Sequence, residues 1–449
     1  MQFQTRGALQ PAAAAQPLDL PALGAISGLL PYSGEGVLAG DDLQFRAQGD
    51  LQGVASRLPS PLNRVAGAAG SVAISGQGNL SSRLRVNVHA AAQAGSLVWQ
   101  RQQNRWQLAA GSWQLDGHTA PPLPPAGILL TGRGGVLPVD AWLQVLHGNA
   151  GGLSAWPTLI LRSHWQSVRF LGRDWPDVTL QGQVAGNGLA LQLGGPAIAG
   201  QLRYEAVPAQ FSVQLQHLDI PPLAKGQGTA PDAAGRHPGG SPLALTAHIA
   251  RLQWDDHALQ DFSLEGRRNA TGWQFPHLSA QWAGSHWTLA GEWLGQGAGI
   301  SRFHGQMQAV DIAPFLQTLG VDSLDYARAR SEGDLHWPGP PWDFALAHLN
   351  GNARLTFRDG RLGKLGAGLS WLVLVNPTSL LSDVLTFNYR PLFGNGLFFS
   401  RLSGDFVLDE GVATSRNVVL QSSAVEAKAE GSVDLQRHGL NLALQVYPL

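Results

Sequence analysis

Residues 272–293 read GWQFPHLSAQWAGSHWTLAGEW. An aromatic opens the stretch, apolar and polar residues alternate, a small-residue turn interrupts, and W-x-L-x-G follows. Alternation with a period of two gives a strand one apolar face and one wet face, so the stretch reads as strands joined by a tight turn. RWQLAAGSWQLDG (105–117) is a looser version of the same pattern. Each is followed by a short helical signal. DAWLQVL (140–146) comes after Pro138 with Asp140 as its cap candidate, and DIAPFLQTLG (311–320) ends on Gly320. The shared order points to duplicated β-rich modules stacked along one axis.

The same alternation runs outward through the chain. It recurs at Leu84, Val86 and Val88, at Leu189, Leu191 and Leu193, and at Phe211, Val213 and Leu215. Leu355 and Phe357 repeat it, as do Leu440, Leu442, Leu444 and Val446. Asn187-Gly188, Asp116-Gly117, Asp359-Gly360 and Glu410-Gly411 suit tight antiparallel hairpins. At roughly 12 residues per strand and turn, the chain holds about 30 strands. The expected fold is mainly β: an elongated antiparallel sheet folded into a groove, built from repeated modules with a few short helices. Five segments follow: a β-rich stretch over 1–100 with a Pro/Ala-rich start, a module over 101–220, a Pro/Gly-rich loop over 221–242, a second module over 243–320, and a β region over 321–449.

Composition excludes several classes. Charged residues are 14% of the 449, against about 25% in typical soluble proteins. The net charge is −1 and lysine occurs at Lys225, Lys364 and Lys428 alone, so no basic stripe awaits nucleic acid. Cysteine is absent, which removes disulfides, thiolate nucleophiles and Cys-based zinc sites. The 14 histidines form no HExxH or HxH, and Asp255-Asp256-His257 reads as a polar strand turn. No Gly-x-Ser-x-Gly elbow occurs, and the Gly-rich stretches 132–135 and 295–299 lack the Lys-Ser/Thr of a P-loop. Trp106, Trp113, Trp273, Trp282, Trp287 and Trp293 sit within the strand pattern, as expected of residues filling an apolar face. The reading is of no enzyme, no metal and no cofactor.

Residues 365–385, LGAGLSWLVLVNPTSLLSDVL, break the alternation. A membrane span needs about 20 predominantly apolar residues, and this stretch is interrupted by Asn376, Pro377 and several Ser. Split at Asn376-Pro377 it gives a broken apolar helix near 366–385. Leu369, Leu372 and Val373 form one face; Leu380, Leu381, Val384 and Leu385 form the other. These helices either plug the end of the sheet's apolar face or line and gate a groove.

A long one-sided sheet must cover its apolar face, and folding over on itself makes a greasy trough. Such a trough suits acyl chains: about 16 carbons in water cost about 12 kcal/mol at roughly 0.8 kcal/mol per CH₂. Thirty strands about 4.8 Å apart would make a rod on the order of 140 Å. The residues that would line the trough include Leu355, Phe357, Leu442, Leu444 and the seven apolar positions of 369–385.

At this point a resemblance enters. G-D-L-x-W-P-G (333–339), L-N-G (349–351), R-D-G-R-L (358–362), F-G-x-G (393–396) and S-G-D-F-x-L-x-x-G-V-A-T (403–414) resemble the C-terminal part of YhdP-like proteins in the AsmA-like family, which also includes TamB. LPVDAWLQVL (137–146) and GWQFPHLSAQWAG resemble the same family's module upstream. The resemblance implies an inner-membrane-anchored periplasmic protein with a hydrophobic groove, moving phospholipid between the inner and outer membranes of Gram-negative bacteria. Its partners would be phospholipid acyl chains and, through parts missing from this chain, both membranes. The N-terminus lacks a signal peptide or membrane helix and the C-terminus stops within a strand pattern, so a C-terminal fragment is expected. Three other readings stand beside it: a scaffolding β protein with a dry packed core, an outer-membrane barrel, and a carbohydrate-active enzyme with paired carboxylates.

Overall fold

The computed structural model describes residues 1–15, 17–18, 20–148, 157–222, 243–254, 257–295, 299–318, 324–362, 397–436 and 439–448. Contacts divide the chain into two units, Met1–Ala233 and Ala234–Leu449. Both are mainly β, as the alternation requires.

The first unit contains β1 (Gln2–Leu9), β2 (Ile26–Gly28), β3 (Leu30–Ala39), β4 (Asp42–Asp50), β5 (Val54–Ser56), β6 (Ser71–Asn79), β7 (Arg83–Ala90), β8 (Gln93–Gln102), β9 (Arg105–Gln114) and β10 (Gly127–Pro138). Helix α1 (Val139–Gly148) precedes β11 (Leu159–Phe170), β12 (Arg173–Ala185), β13 (Gly188–Gly194), β14 (Ile198–Ala206) and β15 (Ala209–Asp219). Apart from the small β2–β5 ribbon, each strand pairs with the sheet strand that precedes it in sequence.

The expected all-antiparallel order fails at one strand. β10 runs parallel to both β9 and β11. Parallel neighbours need crossover connections. Residues 115–126 supply the first, and α1 lies on the second. Asp116-Gly117 therefore opens a crossover rather than closing a hairpin; Asp116 Oδ1 accepts from Gln114 Nε2 at 2.7 Å. The Pro-rich crossover covers the sheet where Ser112 Oγ donates to the Pro121 carbonyl at 2.7 Å. Ser96 and Ser112, which alternation alone would leave wet, are buried.

The second unit contains β16 (Leu243–Trp254), β17 (His257–Arg268), β18 (Gly272–Trp282), β19 (Ser285–Leu294) and β20 (Ile300–Ala309). Helix α2 (Ala313–Thr318) leads to β21 (Leu324–Pro338), β22 (Asn350–Leu362), β23 (Leu397–Asp409), β24 (Val412–Gln421), β25 (Val425–Asp434) and β26 (Gly439–Pro448). Every pairing here is antiparallel and sequential. The stretch 272–293 forms β18, a turn at Ala283 and Gly284 with φ of 46° and 78°, and most of β19. Positive φ at both turn residues matches the twist of the flanking strands. Glu410-Gly411 does the same between β23 and β24. Asp359-Gly360 does not: it is a bulge inside β22, where Asp359 has φ 50° and the register to β21 shifts.

The two short helices serve different connections. Helix α1 follows the parallel strand β10, whereas α2 links antiparallel β20 and β21. Asp311 caps α2: its Oδ1 accepts from Ala313 N at 3.0 Å and from Ala327 N at 3.4 Å. Ile312 and Phe315 are buried among Met307, Leu324, Ala327 and Phe399, and Phe315 meets Trp282 edge-on at 5.1 Å.

Candidate functional site

Because neighbouring strands stay in register, residues of one parity line up in rows across each sheet. In the first unit, paired residues run Phe3, Gly36, Phe45, Gly76, Val86, Leu97 and Gly111. The row continues through Ile128, Leu159, Val184, Leu189, Tyr204 and Phe211. It contains no charged residue and no amide side chain, and it crosses the parallel strand without a break. An apolar hollow of about 260 Å³ opens on this face, lined by Phe3, Leu9, Leu30, Tyr32, Phe45 and Val72 among others.

Glycine alternates with bulky residues along the rows for a steric reason. A Cβ on Gly36 would overlap the ring of Phe3, and one on Gly76 would overlap Phe45. Gly95 under Trp113 and Gly134 under Trp165 repeat the arrangement. With no Cβ beneath it, an aromatic ring lies across its neighbour instead of standing away from the sheet.

The second unit has equivalent rows. Ala280, Trp287, Met307, Ser331, Leu355 and Gly404 are consecutive partners. Two residues along lies the row Ala309, Ala329, Phe357, Leu402, Leu420, Ala427 and Val446. Rings stack along one end of this face: Trp273 on Phe275 at 6.1 Å, Phe275 against Phe303 at 5.9 Å, and Phe303 on Trp337 at 5.4 Å. The opposite parity is polar. Thr288, Gln306, Glu332, Arg354 and Asp405 are consecutive partners there.

Arg354 organises that wet face. Its Nε donates to Asp405 Oδ1 at 2.6 Å, and its Nη1 lies 3.5 Å from Glu332. Asp405 also accepts from Asn417 Nδ2 at 2.8 Å. The hydrogen bond from Arg354, then that from Asn417, holds the Asp405 carboxyl below its ordinary range, and Asp405 raises Arg354 in turn. A hollow of about 620 Å³ in this unit carries Arg302, Glu292, His304 and Asp334 on its lining. Glu292 lies 3.8 Å from Arg302 and Asp334 Oδ1 lies 2.8 Å from His304 Nδ1, and Arg267 also lines the hollow. No group of three or more His, Cys, Asp or Glu with metal-binding placement occurs among the described residues.

The structure locates only some of the sequence-predicted positions. Leu355 and Phe357 are half-buried in adjacent rows, and Phe357 packs against the Met307–Phe399 cluster. Leu444 pairs with Ala429 and stays exposed; Leu442 pairs with Gly431, and its side chain lies outside the described residues. Leu369, Leu372, Val373, Leu380, Leu381, Val384 and Leu385 also lie outside them, as do Asp255, Asp256 and the F-G-x-G of 393–396. Sequence reading named Val86, Leu189 and Phe211 as apolar strand positions but did not join them into the first unit's row. Its signal at the start of the row, Gly36 and Gly76 opposite Phe3 and Phe45, becomes visible only once the register is known.

No helix among the described residues is long and apolar enough to cross a membrane. No solved structure matches the chain. A curated relative, "Intermembrane phospholipid transporter YhdP" of Escherichia coli (strain K12), is 25% identical over 369 residues, covering 75% of this chain and 27% of the relative. The chain thus spans about a quarter of the length of that relative. The family model described as "YhdP protein" matches residues 1–449, and with the match running along the whole sequence the chain belongs to the YhdP family.

Proposed function

We propose that this chain is part of a protein that carries phospholipid between the inner and outer membranes of a Gram-negative envelope. Acyl chains lie along the apolar rows, which serve as a groove, while headgroups remain in water. The observation that carries this reading is the row from Phe3 to Phe211, charge-free across every strand of the first unit's main sheet. A 16-carbon chain costs about 12 kcal/mol in water, and an apolar surface continuous over many strands offsets that cost at each position. The name of the Escherichia coli relative supports the substrate class and the route. On this reading the protein works in the periplasm, is held at the inner membrane by parts beyond this chain, and binds its cargo without catalysis. Leu355 and Phe357 line the surface in the second unit.

The test is lipid content. Purified chain, extracted with organic solvent and examined by mass spectrometry, is expected to release phospholipid. Val86→Asp and Leu355→Asp each place an unpaired charge on a row, and each is expected to cut the co-purified lipid about tenfold with the fold retained by circular dichroism. A wild-type chain that releases no lipid overturns the proposal and favours a dry scaffold.

A further inference from the structure

The connection between β21 and β22 presents a cluster of exposed rings. Within five residues Trp342 is 55% exposed, Phe344 48% and Leu346 36%. Isolated exposed apolar residues are ordinary, but two aromatics and a leucine on one turn are not. Pro340 and Pro341 begin the turn, and Pro341–Asp343 form a single 3-10 turn, so little conformational freedom is spent on holding the rings outward.

These rings are anchored from behind. Trp342 meets the buried Trp293 edge-on at 5.3 Å, and Phe344 meets the buried Trp337 at 5.2 Å. Trp337 in turn stacks on Phe303 within the apolar face. An unbroken line of aromatic contacts therefore runs from solvent onto that face. Asp343 is the sole residue of 339–347 with a charged side chain, so nothing in the turn attracts anionic surfaces by charge.

Tryptophan and phenylalanine on a rigid turn that contains no Lys, Arg or His match the interfacial zone of a bilayer, where amphipathic rings sit at headgroup level. We infer that the Pro340–Leu346 turn is a membrane-contact element that inserts Trp342 and Phe344 into a phospholipid interface, placing the apolar face next to its lipid source. The use made of this contact rests on the proposed transport function; the contact itself does not.

The experiment is co-flotation of the purified full chain with vesicles of phosphatidylcholine and phosphatidylglycerol in equal parts, and with vesicles of phosphatidylcholine alone. Wild type is expected to float with both, with little change as salt rises, because the attraction is apolar. The double variant Trp342→Ser/Phe344→Ser is expected to lose about tenfold in vesicle affinity. Its circular dichroism spectrum should stay that of wild type and its melting should fall only slightly, since both side chains are half exposed and each gives up one ring contact, on Trp293 or Trp337. Val65→Ser, at a lone residue that is 76% exposed, should change nothing. Wild type that fails to float, a double variant that floats equally well, or binding abolished by salt each overturns the inference. A wild-type chain without bound lipid that still floats through Trp342 and Phe344 sinks the transport reading and leaves the membrane contact standing.

Discussion

Gly76 lies beneath Phe45, and the pair sets how far the apolar face rises from the backbone. Gly76→Val is expected to cost about 1–3 kcal/mol in urea unfolding, because the ring must leave its place to admit the new side chain. Adding Phe45→Ala should recover part of that loss, a coupling that a double-mutant cycle measures. On the wet side, Asp405 has its carboxyl held low by Arg354 and Asn417. A depressed carboxylate adds stability above its ordinary range and loses it as the pH falls through the depressed value. Urea midpoints of wild type and Asp405→Asn are thus expected to differ at neutral pH and to converge below about pH 4. Arg354 and Asp405 are both exposed enough that added salt should shrink the difference. Neither pairing could be read from sequence. Phe45 and Gly76 stand in different strands, and Arg354 and Asp405 are 51 positions apart, so only the register brings them together.

Strands and helices were more legible than their connections. Alternation announced β7, β13, β15 and β22, because one wet and one apolar face is a local property. The helices α1 and α2 stand where the sequence places them, but not on the caps read there: α1 starts at Val139, so Asp140 sits in its first turn, Gly320 lies outside the described residues, and the cap of α2 is Asp311. Asp311→Ala should cost about 0.5–2 kcal/mol in thermal or urea unfolding, since one carboxylate oxygen serves both the helix start and Ala327 on β21. The parallel placement of β10 left no such mark. Whether a strand returns or crosses over depends on the path of residues 115–126, and proline-rich segments suit either. Asp-Gly was likewise ambiguous: the left-handed conformation it favours serves a hairpin turn and a bulge equally well. The apolar candidates of 369–385 were chosen by helical spacing alone and fall outside the described residues.

At the scale of the molecule, contacts concentrate within Met1–Ala233 and within Ala234–Leu449. Each piece expressed alone is expected to give its own cooperative urea transition by circular dichroism; a piece that stays unfolded would show that the two depend on one another. We also expect the modules read from sequence with bounds near 100 and 320 to unfold with the rest of their unit, because β7–β8–β9 and β20–β21 pair through these positions. Sequential pairing has a consequence for how such a chain changes size. Removing β13 and β14 together would bring β12 against β15 still antiparallel, with Val184 opposite Phe211 and the apolar parity unaltered. Removing one of them would leave two strands facing the same way with a turn too short to join them. The hairpin, not the strand, is therefore the quantum by which this architecture can lengthen or shorten while every surviving residue keeps its side of the sheet.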